Sequence, residues 1–133
     1  MTDRLKAEDL LARVTEIGSG LPGVKRKRVK RHACFRVRDK TFAYFLNDHH
    51  GDDLIAVCAN VLPGDNVRLV TEKPMKFYLP AYIGPRGWVG LRLDRKNLNW
   101  GDAKELIATS YWLIAPKELS SKVKLLASTT LDL

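Results

Sequence analysis

The side chains with the clearest chemical potential in this chain are cations crowded into one short window. Between positions 25 and 40 the sequence holds nine lysines and arginines and a single acid, Asp39. These bases are Lys25, Arg26, Lys27, Arg28, Lys30, Arg31, Arg36, Arg38 and Lys40. The window therefore carries a net charge of +8, the same as the whole 133-residue chain. The other 14 bases and 14 acids cancel, so the charge imbalance belongs to this window.

Cations this close together repel one another, and a polyanion relieves that repulsion while condensed counterions are released. The window therefore predicts contacts to nucleic-acid phosphates. Two alternatives stay open at this level. One is a solvated edge that keeps the protein soluble and prevents strand-to-strand aggregation. The other is a surface for an acidic protein or lipid.

A second stretch with chemical potential lies around a glycine-rich turn at positions 84–87. Arg86 and Trp88 stand at the exit of this turn. A guanidinium beside an exposed indole can hold a phosphate and stack on a base, so both are outside candidates for a nucleic-acid contact. Alternatively, Trp88 packs over the sheet and Arg86 pairs with a carboxylate.

Other chemistries find little support in the residue pattern. The loop His49-His50-Gly51-Asp52-Asp53 offers metal-ligand types, but adjacent side chains rarely converge on one ion, so a solvated loop is expected. The sequence has no Gly-x-Ser-x-Gly elbow, no Walker loop and no Gly-x-Gly-x-x-Gly after a strand. We therefore expect no enzyme activity, no catalytic residues, no metal and no cofactor.

Periodicity predicts the elements that must position these bases. A first helix is capped by Thr2 or Asp3 and stopped at Gly18. The segment 24–32 is extended with bases on both faces, which a central strand could not bury, so it belongs at a sheet edge or in a projecting hairpin arm. Residues 34–37 and 41–46 form a hairpin around a turn at Asp39-Lys40, with Arg36 and Arg38 on its exposed face.

The rest of the chain continues the same alternation of strands and helices. A short strand is predicted at 54–58, a short helix from the turn at 63–66 to about Val70, and a strand at 88–93 with Trp88 and Arg92 facing outwards. Asn97 or Asn99 caps a last helix that Pro116 ends. The prediction is an α+β two-layer sandwich, an antiparallel sheet packed against helices.

Composition bounds the organisation of the chain. With 133 residues, 45% hydrophobic and 29% charged, it fits one globular domain. We expect that domain at 1–119 and a tail, helical in part or disordered, at 120–133. Apolar runs are only a few residues long, whereas a membrane span needs about 20. The expected location is the cytoplasm, with no membrane association.

Several sequence pieces, in order, resemble the MmcQ/YjbR family over about residues 3–119. They are Leu-Pro-Gly-Val at 21–24, His-Ala-Cys-Phe-Arg-Val at 32–37 with Lys-Thr-Phe-Ala at 40–43, Pro-Ala-Tyr-Ile-Gly-Pro-Arg-Gly-Trp-Val at 80–89 with Leu-Arg-Leu-Asp at 91–94, and Ser-Tyr-Trp-Leu-Ile-Ala-Pro-Lys at 110–117. The chain departs from the family pattern at 25–31, where it is strongly basic instead of mixed or acidic.

The resemblance implies a secretion-chaperone-like or frataxin-like fold with the order α-β-β-β-α-β-β-α. This order has two late strands where periodicity predicts one, and residues 77–82 are the candidate for the other. It also implies DNA binding through a double-wing arrangement, and it brings no catalytic residues. With the basic window, it predicts a DNA-binding module of low sequence specificity, with duplex DNA as the partner and the window's nine bases, Arg86 and Trp88 as contacts. The alternative is a protein-interaction module of unknown partner without catalytic activity.

Overall fold

The computed structural model describes residues 2–123, with side chains from residue 6 onwards, and contains one sheet with helices on one of its faces. The helices are α1 (Thr2–Ser19), α2 (Asp65–Glu72), α3 (Trp100–Ile114) and α4 (Lys117–Ser120). The strands are β1 (Val24–Val29), β2 (His32–Val37), β3 (Lys40–Asn47), β4 (Ile55–Asn60), β5 (Phe77–Tyr78) and β6 (Trp88–Arg92). Short 3-10 turns lie at His49–Gly51 and Gly84–Arg86.

The sheet is antiparallel throughout, in the order β1-β2-β3-β4-β6-β5. The first four strands form a meander, and the chain then returns through α2 and β5 to place β6 beside β4. Arg38 and Asp39 both have positive φ, 49° and 67°. Positive φ at both central positions is the mark of a type I′ hairpin turn. The predicted turn at Asp39-Lys40 is therefore one residue too late, and Arg38 lies in the turn instead of on the exposed strand face.

The core lies between the sheet and the helices. Val14 of α1, Leu69 of α2 and Leu106 of α3 are fully buried in one cluster with Phe35 and Phe45 of the sheet. The residues that alternate with these on the strands point to the opposite side, which carries no helix within the described part of the chain. We call this side the open face.

Buried polar groups tie the layers together. The Ser110 hydroxyl of α3 donates to the Phe42 carbonyl at 2.6 Å and accepts from the Asn60 amide at 2.9 Å. The Tyr111 hydroxyl donates to the Pro22 carbonyl at 2.6 Å, just before β1. Because a buried polar group without a partner is unfavourable, these bonds fix α3 against three parts of the chain.

The α+β two-layer prediction is confirmed, and β1 is an edge strand as its two-sided charge predicts. Four strands precede α2, one more than the order that the family resemblance implies. The candidate strand at 77–82 is only Phe77–Tyr78. At the carboxyl end, Val123 packs against the core. The tail predicted at 120–133 lies outside the described residues from 124 onwards.

The structure also bears on membrane insertion. From residue 2 to residue 123, no helix combines the length and the apolar character that crossing a bilayer requires.

Candidate nucleic-acid interface

Strand β1 distributes its bases between the two faces of the sheet. Directly opposed residues of an antiparallel pair point to the same face. Arg26 is opposite Phe35 and therefore points to the helix side, as does Arg28. Lys25 is opposite Arg36, and Lys27 is opposite Cys34, which places these side chains on the open face. The bases of β1 are thus divided between two surfaces, as the prediction of bases on both faces of the segment 24–32 requires.

The two helix-side arginines are held by α1. Arg28 donates from Nη1 and Nη2 to the two carboxylate oxygens of Glu8, at 2.8 Å and 2.5 Å. This hydrogen bonding raises the pKa of Arg28 above its ordinary value. Arg26 donates from Nη1 to the Thr15 hydroxyl at 3.1 Å. Because both contacts already occupy donors, these bases are less available to an added anion.

The open-face bases have a different environment. Among the described residues, no carboxylate forms an ion pair with Lys25, Lys27 or Arg36. Arg36 donates from Nη2 to the Asp39 carbonyl at 2.8 Å, a neutral acceptor that leaves its charge in place. The open face at this edge therefore keeps three positive charges.

The remaining bases of the window lie at the two ends of these strands. Lys30, with φ of 56°, and Arg31 lie between β1 and β2, where Arg31 donates to the Asn47 carbonyl at 2.7 Å and to the Asp48 carbonyl at 3.1 Å. At the opposite end, Arg38 forms a 2.9 Å ion pair with a carboxylate of α4, that of Glu118. Exposed pairs of this kind contribute little to stability. Lys40, at the start of β3, is exposed.

The Gly84–Arg86 turn and Trp88 are positioned by a buried amide. Asn66 of α2 donates from Nδ2 to the carbonyls of Gly84 at 2.8 Å and Trp88 at 3.3 Å. Trp88 faces outwards as predicted, and its ring centroid lies 5.5 Å from that of Tyr44 on the open face. Arg86 is exposed and forms no ion pair within the described residues.

Strand spacing separates this turn from the basic edge. Three strands lie between β1 and β6, so at about 4.8 Å per step the two strands are about 19 Å apart. Trp88 lies on the same face as the open-face bases Lys25, Lys27 and Arg36. At this separation, Arg86 does not form one continuous basic surface with the basic edge.

The sequence reasoning missed a groove of about 620 Å³ on the open face. Cys34, Tyr44 and Leu46 lie along it, the segment 78–83 forms one wall, and the loop at 49–52 forms another. Lys27 also lines it, which joins the groove to the basic edge. The available signal was the alternation in β3, where Tyr44 occupies an outward position between buried residues.

Burial shifts the pKa values of two titratable groups near the groove, His32 and Cys58. Burial lowers the pKa of His32, and the neighbouring His49 and Arg31 lower it further. The Asn47 amide donates to His32 Nδ1 at 3.2 Å, so this nitrogen acts as an acceptor. Burial raises the pKa of the Cys58 thiol to about 12, so it is protonated at neutral pH and is a poor nucleophile. Within residues 6–123 no three histidine, cysteine or acidic side chains form a group able to hold a metal ion.

These observations define a class of protein: a small α+β domain whose six-stranded antiparallel sheet has helices on one face and a basic edge with a groove on the other. The chain belongs to the YjbR family, whose model matches residues 19–113.

A solved structure supports the same fold. The crystal structure of the Deinococcus radiodurans protein DR2400, which carries the domain DUF419 of this same family, is 17% identical. The match covers 88% of this chain and 91% of that chain, with a TM-score of 0.65. No curated protein matches the chain in sequence.

Proposed function

We propose that this protein is a DNA-binding module of low sequence specificity. It contacts phosphates through the open face of strands β1 and β2 and through the residues at the two ends of the β1–β2–β3 edge. The contacts would be made by Lys25, Lys27, Lys30, Arg36 and Lys40. One observation carries the proposal: in the described part of the chain, these five bases form no ion pair with a carboxylate, although the rest of the sequence holds as many acids as bases.

Uncompensated charge on a protein edge favours a polyanion for two physical reasons. Each phosphate that a lysine neutralises releases condensed counterions, which drives binding entropically. Phosphate contacts also fix position without reading sequence, so affinity comes without base discrimination. Five such contacts predict that log K for duplex DNA falls with log salt with a slope of about −4.5.

The alternation of β1 provides a matched test. One variant, Lys25→Gln with Lys27→Gln, removes two open-face charges. The other, Arg26→Gln with Arg28→Gln, removes two charges from the same strand on the helix side. Binding to a labelled duplex is measured by fluorescence anisotropy between about 50 mM and about 200 mM salt.

The two variants have different expected results. The lysine variant flattens the slope by about 1.8, because each lost phosphate contact removes about 0.9. The arginine variant changes the slope by less than about half that amount, because Arg28 is already held by Glu8 and Arg26 by Thr15. Equal slopes for the two variants would show that total charge, not the open face, governs binding.

A second candidate function, protein interaction, is favoured by a specific feature of the open face. Val29, Leu79 and Tyr82 line the groove and are 54%, 46% and 80% exposed. Apolar side chains in a concavity suit the core of a protein interface, which is depleted in charge. Binding to a protein partner there would depend only weakly on salt, whereas nucleic-acid binding depends on it steeply.

A further inference from the structure

The groove on the open face has the size and lining of a binding site. Its volume of about 620 Å³ lies within the range of about 300–1,000 Å³ that is usual for small-molecule pockets. Tyr44, Tyr78 and Tyr82 line it, and Trp88 adjoins Tyr44. The groove therefore presents aromatic rings to whatever enters it.

Tyr82 is the most unusual of these rings. It is 80% exposed and has a φ of 67°, a left-handed backbone that a bulky side chain rarely adopts. Its ring centroid lies 5.5 Å from that of His50 across the groove mouth. Strained residues of this kind concentrate at ligand clamps, where the surrounding structure holds them in place.

The charge next to the groove points to one class of occupant. Lys27 lines the groove, and Lys25 and Arg36 lie one pair further along the same face. One carboxylate, that of Asp52 in the loop at 49–52, also lines the groove. The complementary ligand is thus anionic along the β1 side and aromatic on the side that enters the groove. A single strand of nucleic acid has this composition, since its phosphates follow a line and its bases expose their faces.

A duplex cannot use the groove in the same way, because its bases are paired and stacked inside the helix. We infer that the groove takes unpaired bases of a nucleic-acid strand, stacked on its tyrosines, while Lys25, Lys27 and Arg36 hold the adjoining phosphates. This inference rests on the proposed function, but it adds a site and a preference that phosphate contacts alone do not create.

The test compares single-stranded and duplex DNA at one salt concentration. The probes are a labelled oligothymidylate of about ten nucleotides and a duplex of equal length, a size within the site range of sheet-type binders. The variant is Tyr82→Asn, because asparagine tolerates a left-handed backbone and removes the ring. The control is Trp112→Asn, which removes another exposed aromatic side chain, 48% exposed and on α3.

Stacking on an aromatic side chain contributes about 1–3 kcal/mol per base, so Tyr82→Asn should weaken oligothymidylate binding by roughly 5-fold to 150-fold. Duplex affinity should stay unchanged, and Trp112→Asn should change neither. If Tyr82→Asn and Trp112→Asn bind oligothymidylate equally well, the inference is wrong. If duplex binding remains sensitive to the Lys25 and Lys27 changes in that case, the proposed function survives.

A protection measurement keeps the test independent of the variants. Cys34 is half-buried in the groove, whereas Cys58 is fully buried and serves as an internal reference. Saturating oligothymidylate should slow alkylation of Cys34 at least about 5-fold, as a ligand in the same site must. An unchanged rate of Cys34 alkylation at saturation would overturn the inference. It is also the result expected if the groove binds a protein partner and not a nucleic-acid strand.

Discussion

Gly90→Ala tests how closely the groove floor is packed. Gly90 on β6 is directly opposite Tyr78 on β5, and the tyrosine ring covers the glycine. A β-carbon at Gly90 would lie 2.6 Å from Cζ of that ring, where ordinary contact begins at 3.4 Å. The backbone of Gly90 is not left-handed, so the substitution brings no strain from a positive φ and its cost is steric.

The magnitude follows from this overlap. The ring must move by about 1 Å, which separates its hydroxyl from the Cys58 sulfur now 3.6 Å away. Overpacking of this kind costs about 1–3 kcal/mol of stability. In a Tyr78→Ala background the overlap is gone, and Gly→Ala in a strand should then stabilise by about 0.5–1 kcal/mol. Because that gain is present in both backgrounds, it cancels in the cycle, and the predicted coupling between the two sites is the overpacking cost of about 1–3 kcal/mol.

Urea unfolding followed by circular dichroism measures all four proteins of this double-mutant cycle. The midpoint should shift while the m value stays constant, since the surface exposed on unfolding hardly changes. The same destabilisation by Gly90→Ala in both backgrounds would refute the reasoning, because it would mean that Tyr78 does not cover the glycine.

Two further predictions concern polar side chains that form hydrogen bonds with backbone groups. Ser110→Ala should cost about 1–3 kcal/mol in urea unfolding, because it leaves the Asn60 amide and the Phe42 carbonyl unsatisfied, and a change below about 0.5 kcal/mol would contradict this. Burial lowers the pKa of His32 below its ordinary 6.5, so its stabilising effect is complete above pH 6.5 and is lost as the pH falls below it. His32→Asn keeps an acceptor for the Asn47 amide but does not titrate. The fall in stability between about pH 8 and about pH 5.5 should therefore be smaller in this variant, and an unchanged pH dependence would count against the prediction.

The sequence was sufficient to predict features that depend on local periodicity. Bases on both faces of residues 24–29 require an edge position, because no central strand could bury them, and β1 is at the edge. The alternation from Trp88 to Arg92 likewise determined which side chains face outwards. In both cases the signal lies within a few consecutive residues, where the geometry of a strand leaves little choice.

Features that depend on distant parts of the chain could not be predicted in this way. The bond between Arg28 and Glu8 joins residues 20 positions apart and exists only because α1 crosses β1 on one face. The groove requires the irregular segment 78–83 to fold beside β3, and no periodic pattern describes that path. The turn at Arg38 and Asp39 was misplaced by one residue, because the sequence alone did not show which two residues adopt positive φ.

A map of amide chemical shifts tests most directly whether the open face binds nucleic acid. The ¹⁵N-labelled protein is titrated with oligothymidylate at low salt. We expect the largest shifts at Lys25, Lys27, Cys34 and Tyr44, which lie along the open face between the basic edge and the groove. Shifts confined to α1 and α3, or no shifts at saturating oligonucleotide, would contradict the account.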